Sequence, residues 1–194
     1  MEIKKTVLIG IFMLGIIPIA FSNEIKIGDN APNIIGKNIL THKRVNLYRL
    51  MIEMSFKTDK QGNRLLDEAG KYISEFKRNA IILNFYSRYC IPCIKEIPAF
   101  NKVAEAFKNR SVKFLYINVD ADAKNRELQK LAERYHIKIP ILQPNQQHIM
   151  RTYNVVALPK LVIIDKNKKI NSILTGFQED FKNSLSIKIN ELLK

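Results

Sequence analysis

The sequence predicts an α/β domain, and three stretches carry the prediction. Ala80 to Tyr86 (AIILNFY) is an apolar run broken only by Asn84, the look of a parallel strand buried on both faces. It leads into a helical stripe of Ile94, Ile97, Val103, Ala104 and Phe107, then a strand over Lys113 to Val119 (KFLYINV), then a helix marked by Leu128, Leu131, Ala132 and Tyr135. A last apolar strand, Lys160 to Asp165, turns through Lys166–Lys169 into Ile170–Thr175 as a tight lysine-rich hairpin. Strand, helix, strand, helix in this order calls for an α/β core with right-handed crossovers.

The remaining elements follow in chain order. Lys4 and Lys5 precede the apolar run Val7 to Phe21, and Ala20-Phe21-Ser22 supplies small residues for cleavage, so residues 1–22 are expected to be a signal peptide cut before Asn23. The run is short for a hydrocarbon core of ~30 Å and contains Pro18, yet an uncleaved anchor over residues 6–21 stays open as the alternative. With no cysteine near its end, lipid modification there is excluded. Residues 23–194 are then one domain. Glu24 to Leu50, split by Gly36 and Asn38, reads as a small β-hairpin ahead of the main sheet. Residues 51–79 form a lengthened link: a polar loop at Lys57–Asn63, then Leu65, Ala69, Tyr72, Ile73 and Phe76 at helical spacing, which predicts an amphipathic helix packed on the domain. Pro98 should kink the long helix. Ile137 to Gln143 reads as extended and Gln146 to Tyr153 as a short helix, and a closing helix from about Glu179 turns Phe181, Leu185, Ile189 and Leu192 inward.

Formal net charge is +14, from 32 basic and 18 acidic residues. The lysines are spread along the chain rather than gathered, so a basic solvated surface is expected and no nucleic-acid partner. Membrane contact follows only if the N-terminal segment is uncleaved. Export places the chain where disulfides persist, and its two cysteines make one pair, too few for a stapled miniprotein.

Those cysteines, Cys90 and Cys93, stand where strand gives way to helix. C-x-x-C spacing puts two sulfurs about one turn apart, close enough to bond. At a helix N-terminus the unpaired N–H groups and the macrodipole favour a thiolate, so Cys90 should be the more acidic and nucleophilic sulfur, with Cys93 one turn in. Strand, C-x-x-C and helix outline a thiol–disulfide exchange site. A zinc site would need about four ligands, and the other candidates, His42, His136 and His148, are scattered and are taken as surface or packing residues. A structural bridge so short in sequence would close almost no loop and stabilise little. Pro92 suits the first helical turn. Arg88 and Lys95 are taken as ordinary surface residues. Glu96 follows Cys93 by one turn on the same face, where an exposed glutamate and a buried proton acceptor are both compatible with the spacing.

The chain resembles the exported thioredoxin-like proteins of the TlpA/ResA type. The likeness rests on IGDNAPN near the mature N-terminus, LNFYSRYCIPCIKEIP at the cysteines, INVD after the next strand, and YNVVALPKLVIID around Pro159. YHIKIPILQPNQQHIMRTYNV resembles the strand-and-helix insertion this family adds to a thioredoxin fold. The resemblance implies a redox pair Cys90–Cys93 that forms a disulfide, a part-buried Glu96 serving Cys93 as proton acceptor, and a cis Pro159. With Leu158 and Tyr89, that proline would meet the substrate. It implies protein thiol or disulfide clients, apocytochrome c among them, a membrane thiol donor, and no cofactor or metal. Reductant is the favoured direction, since Ile91-Pro92 lacks the histidine of strong oxidants. A disulfide-forming oxidant or isomerase is the same-fold alternative, and a copper or haem chaperone using the thiols as ligands is the alternative of another class. A thiol peroxidase would need a P-x-x-x-T-x-x-C setting, which is missing. Tyr89 stands where the family usually has Trp, Leu158 and Lys160 flank a proline usually accompanied by Thr, and residues 51–79 exceed the family's usual link.

Overall fold

The structure is a computed structural model and describes residues 24–194; the expected signal segment lies outside the described residues. Among the described residues nine strands and five helices follow in order: β1 (Ile35–Asn38), β2 (Arg44–Asn46), α1 (Leu47–Leu50), β3 (Ile52–Phe56), β4 (Ser74–Arg78), β5 (Ala80–Tyr86), α2 (Ile91–Ala106), β6 (Val112–Asn118), α3 (Asn125–Arg134), β7 (Ile141–Gln143), α4 (Gln146–Thr152), β8 (Lys160–Ile164), β9 (Ile170–Thr175) and α5 (Phe181–Leu192). Seven strands form one sheet in the order β2-β1-β7-β6-β5-β8-β9, while β3 and β4 pair only with each other.

Every residue of β5 is buried because both faces of its sheet are covered. On one face Ile82, Tyr86, Phe114, Tyr116, Leu161 and Ile163 pack under α2, α3 and α5 through Ile97, Phe100, Leu128, Phe181 and Leu185. On the other, Ile81, Leu83, Phe85, Ile117, Val162 and Ile164 meet the N-terminal segment (Ile34, Leu47, Met51) and Ile149 and Tyr153 of α4 and its cap. Phe100 centres the first layer, with ring centroids 5.6, 4.9 and 6.4 Å from those of Phe114, Tyr116 and Phe181. Burying a side chain of this size is worth roughly 2–3 kcal/mol, so α2 is anchored where the site needs it rigid.

The expected hairpin near the N-terminus forms as β1–β2 and joins the main sheet through β7, with Lys37 opposite Gln143 and Asn38 opposite Leu142. Gly36 permits that approach: a Cβ there would lie 3.3 Å from the Pro144 nitrogen and 3.4 Å from Leu142 Cβ. The strand-and-helix insertion, β7 and α4, thereby widens the sheet.

The helix expected in residues 51–79 does not exist. Ile52–Phe56 and Ser74–Arg78 are an antiparallel ribbon with Met54 opposite Phe76, and Thr58–Arg64 and Leu66–Tyr72 bridges continue the strand geometry to its tip. Asp59-Lys60-Gln61-Gly62-Asn63 and Asp67-Glu68-Ala69-Gly70-Lys71 are two copies of one turn. In each, the aspartate accepts the N–H groups two and four residues on, and the glycine takes φ +90° or +73°. Asp165 to Lys169 repeats the turn, with Lys168 at φ +67°. Two left-handed glycines, Gly62 and Gly70, turn the chain twice within this stretch, which decides the segment against the apolar spacing of Leu65, Ala69, Tyr72, Ile73 and Phe76.

Candidate active site

Strand β5 delivers the chain to the cysteines. After Tyr86, Ser87 makes the turn: its carbonyl accepts the Cys90 N–H at 3.1 Å and its Oγ accepts the Tyr89 N–H at 3.1 Å. Cys90 is then the N-cap of α2. Its Sγ accepts the Cys93 N–H at 3.2 Å and its carbonyl accepts the Ile94 N–H at 3.1 Å. Cys90 and Cys93 are disulfide-bonded, with Cα atoms 5.2 Å apart. Cys93 is buried and Cys90 half-buried, so an incoming group meets Cys90 first. With Pro92 in the first turn and no carboxylate there, the helix terminus presents its partial positive charge to Cys90 unopposed.

Arg88 is not the surface residue the sequence suggested. Its backbone N–H donates to buried Asp120 at 2.9 Å, and its guanidinium lies 3.9 Å from Asp120, 2.9 Å from Asp122, and against Glu127. Asn118 Nδ2 donates to Asp120 at 3.0 Å. Three carboxylates from the β6–α3 connection and the first turn of α3 therefore engage the cation, so its charge is spent on holding that connection rather than on Cys90. The same guanidinium stacks 4.6 Å from the Tyr89 ring centroid. The Tyr89 hydroxyl donates to Asp122 at 3.0 Å and, with Arg88, holds that carboxyl below its ordinary value. Tyr89 is 68% exposed yet fixed in place beside the cysteines.

Glu96, one turn beyond Cys93 on α2, is buried. Burial pushes its carboxyl up from 4.5 to about 7, against the pull of a hydrogen bond from the Gln178 backbone. Its Oε1 is buried with no partner among the described residues. Such a carboxyl changes protonation near neutral pH, in the range where a thiol must lose its proton. Tyr86 and Tyr116 pack edge to face at 5.5 Å, and the Tyr116 hydroxyl donates to Asn101 at 3.1 Å. Burial, then Tyr86 and Glu96, push the Tyr116 phenol well above its ordinary value, so the tyrosines stay neutral.

The second proline reaches the site by register. Strand β8 runs antiparallel to β5 with Lys160 opposite Phe85, which sets Pro159 beside the end of β5 that leads to Cys90. The Leu158–Pro159 bond is cis, and the Pro159 carbonyl accepts the Gly176 N–H at 2.8 Å. Lys160 is buried: its ammonium donates to the Tyr153 and Asn154 carbonyls at 2.9 and 2.8 Å, and burial draws its pKa down. It thus ties the end of α4 to the proline loop.

Sequence reasoning missed the Arg88 hub, Lys160 and the Gln178 contact, each of which depends on partners distant in sequence or on burial that a charged residue does not announce. It also missed Val156 and Phe177, exposed apolar residues on the loops before Pro159 and after β9. Among the described residues no group of three or more histidine, cysteine or carboxylate side chains is placed to hold a metal ion.

This fold and site define a thioredoxin-like protein. The sequence model of the AhpC/TSA family matches residues 56–173, and the chain belongs to that family. Among curated proteins it is similar to the thiol-disulfide oxidoreductase ResA of Geobacillus thermodenitrificans, 34% identical over 115 residues. It is also similar to the protein of the same name from Bacillus cereus, 30% identical over 121 residues. The first alignment covers 58% of this chain and 65% of the relative; the second covers 62% and 65%. Among solved structures, a thiol:disulfide interchange protein of the thioredoxin family from Chlorobium tepidum superposes with TM-score 0.64 at 18% identity, covering 88% of this chain and 99% of that one. StoA from Bacillus subtilis gives 0.52 at 22%, covering 65% and 94%.

Proposed function

We propose that the protein is an exported thiol–disulfide oxidoreductase acting on protein clients as a reductant. The observation that carries this is the Cys90–Cys93 disulfide with Cys90 at the N-cap of α2. The ResA relatives, which are thiol-disulfide oxidoreductases by name, support the class of reaction.

In the proposed cycle the reduced pair meets a client disulfide. The Cys90 thiolate attacks one client sulfur, a mixed disulfide forms, and the other client sulfur leaves as a thiolate that takes a proton. Cys93 then gives its proton to the Glu96 carboxylate and attacks Cys90 Sγ. The Cys90–Cys93 bond closes and the second client sulfur leaves as a thiolate that takes up the proton held by Glu96, so two electrons have passed to the client and Glu96 is again a carboxylate. A thiol donor at the membrane would return the pair to the dithiol. Tyr89, Leu158 and Pro159 are the proposed client contacts, and apocytochrome c is a fitting client class because its cysteines must stay reduced for haem attachment. No described helix is long and apolar enough to cross a membrane; the proposal of export rests on residues 1–22.

The test is stoichiometric. One equivalent of reduced protein should reduce one equivalent of a protein disulfide such as that of insulin, and Cys90→Ser should abolish the reaction. A midpoint potential near about −120 mV, where strong oxidants lie, would contradict the reductive direction.

A further inference from the structure

The ribbon β3–β4 and its tip obey strict alternation. One face carries Ile52, Met54, Phe56, Leu66, Tyr72 and Phe76, edged by Ser74 and Arg78; along the stem the other carries Glu53, Ser55, Glu75 and Lys77. Glu53 on the polar face holds the ribbon to the body by pairing with Lys113 at 2.9 Å, Arg78 on the edge of the other face donates to Asn167 at 3.4 Å, and a Ser55–Glu75 hydrogen bond of 3.2 Å braces the two strands. Apart from Arg64, no described side chain lies over the apolar face: Met54 is 63% and Phe76 69% exposed. Phe56 and Tyr72 have ring centroids 5.6 Å apart, and Arg64 lies over both. An isolated two-stranded ribbon is marginal in water, and an amphipathic sheet needs a second layer.

We propose that the second layer is the same ribbon of another copy, packed face to face about a two-fold axis through Met54, Phe56, Tyr72 and Phe76. Charge selects this occupant. Residues 52–78 carry six basic and five acidic side chains, whereas the rest of the chain carries 26 and 13. Self-repulsion between copies is therefore weakest at the ribbon, and an anionic surface would be drawn to the body rather than to this near-neutral arm. Area agrees. A free side chain of this size offers on the order of 200 Å², so the apolar face presents on the order of 500 Å² per copy before the strand backbone is added. That approaches the roughly 800 Å² each partner contributes to a standard interface. The ribbon leaves the body at the start of β5 and Cys90 follows its end, about 20 Å away along the strand. Both cysteine pairs therefore stay open in the dimer.

The test uses the full chain, purified as expressed, with its mass followed by light scattering across protein concentration beside Phe76→Glu and Lys77→Glu. Wild type and K77E should dimerise, while F76E should weaken dimerisation about thirtyfold or more, the scale of losing a central aromatic anchor. Thiol exchange by F76E should be unchanged, which keeps this inference separate from the proposed activity. In cells, p-benzoylphenylalanine in place of Met54 should photo-cross-link to residues 52–78 of a second copy. A monomeric wild type, a dimer indifferent to F76E, or cross-links to another protein or to lipid instead would overturn the proposal.

Discussion

Replacing Glu96 by glutamine gives the sharpest separation between a buried carboxyl kept for chemistry and one kept for stability. Its carboxyl titrates at about 7 in the fold, against an ordinary value of 4.5. The folded state thus binds a proton that the unfolded chain releases between those values, and the stabilising effect of protonation is complete below 4.5 and lost as pH rises through 7. Above that, an ionised Glu96 costs the fold about 3 kcal/mol, which glutamine avoids. Urea unfolding of the oxidised proteins should show wild type and Glu96→Gln differing little in their response below pH 4.5, with the variant gaining about 3 kcal/mol on wild type by pH 8. The same variant should slow closure of the Cys90–Cys93 bond about a hundredfold and lose the inflection near pH 7. A stability difference that does not change with pH, or a variant that keeps the inflection, would refute the assignment.

Three further outcomes follow from the packing. Lys160→Met removes two hydrogen bonds from a buried ammonium and strands two carbonyls, so its urea midpoint should fall by the equivalent of about 3 kcal/mol. Arg88→Met releases Tyr89 and the β6–α3 connection; exchange with a protein disulfide should slow several-fold while reduction by dithiothreitol is little changed, as stopped-flow kinetics would show. Hydrogen exchange of the reduced or oxidised monomer should open the β3–β4 amides well before those of β5, β6 and β8, because the ribbon has one neighbour per strand and an exposed face.

The parts legible in the sequence were those whose patterns are local. The runs at Ala80, Lys113 and Lys160 are buried on both faces and so show no alternation, and α2, α3 and α5 carry stripes that match their buried sides. Residues 51–79 misled because Leu65, Ala69, Tyr72 and Phe76 mimic a helical face while serving a meander. The recurring Asp-x-x-Gly, eight residues apart, was the signal that identifies the turns. At the site, Cys90 and Cys93 announce themselves by spacing, but the Arg88 cluster joins residues 32 to 39 apart in sequence and has no local signature. Lys160 shows in the sequence only as the residue after Pro159, because its partners, the Tyr153 and Asn154 carbonyls, are set by how the loop after α4 folds.

The central claim is that Cys90 attacks a protein client and Cys93 resolves the mixed disulfide. The most direct measurement is a Cys93→Ser trap in cells, with covalent partners resolved on non-reducing gels and the linkage mapped by mass spectrometry. The expected result is a discrete set of client proteins disulfide-bonded to Cys90, absent from Cys90→Ser controls; no captured client, together with a wild-type pair inert to thiol exchange, would contradict it.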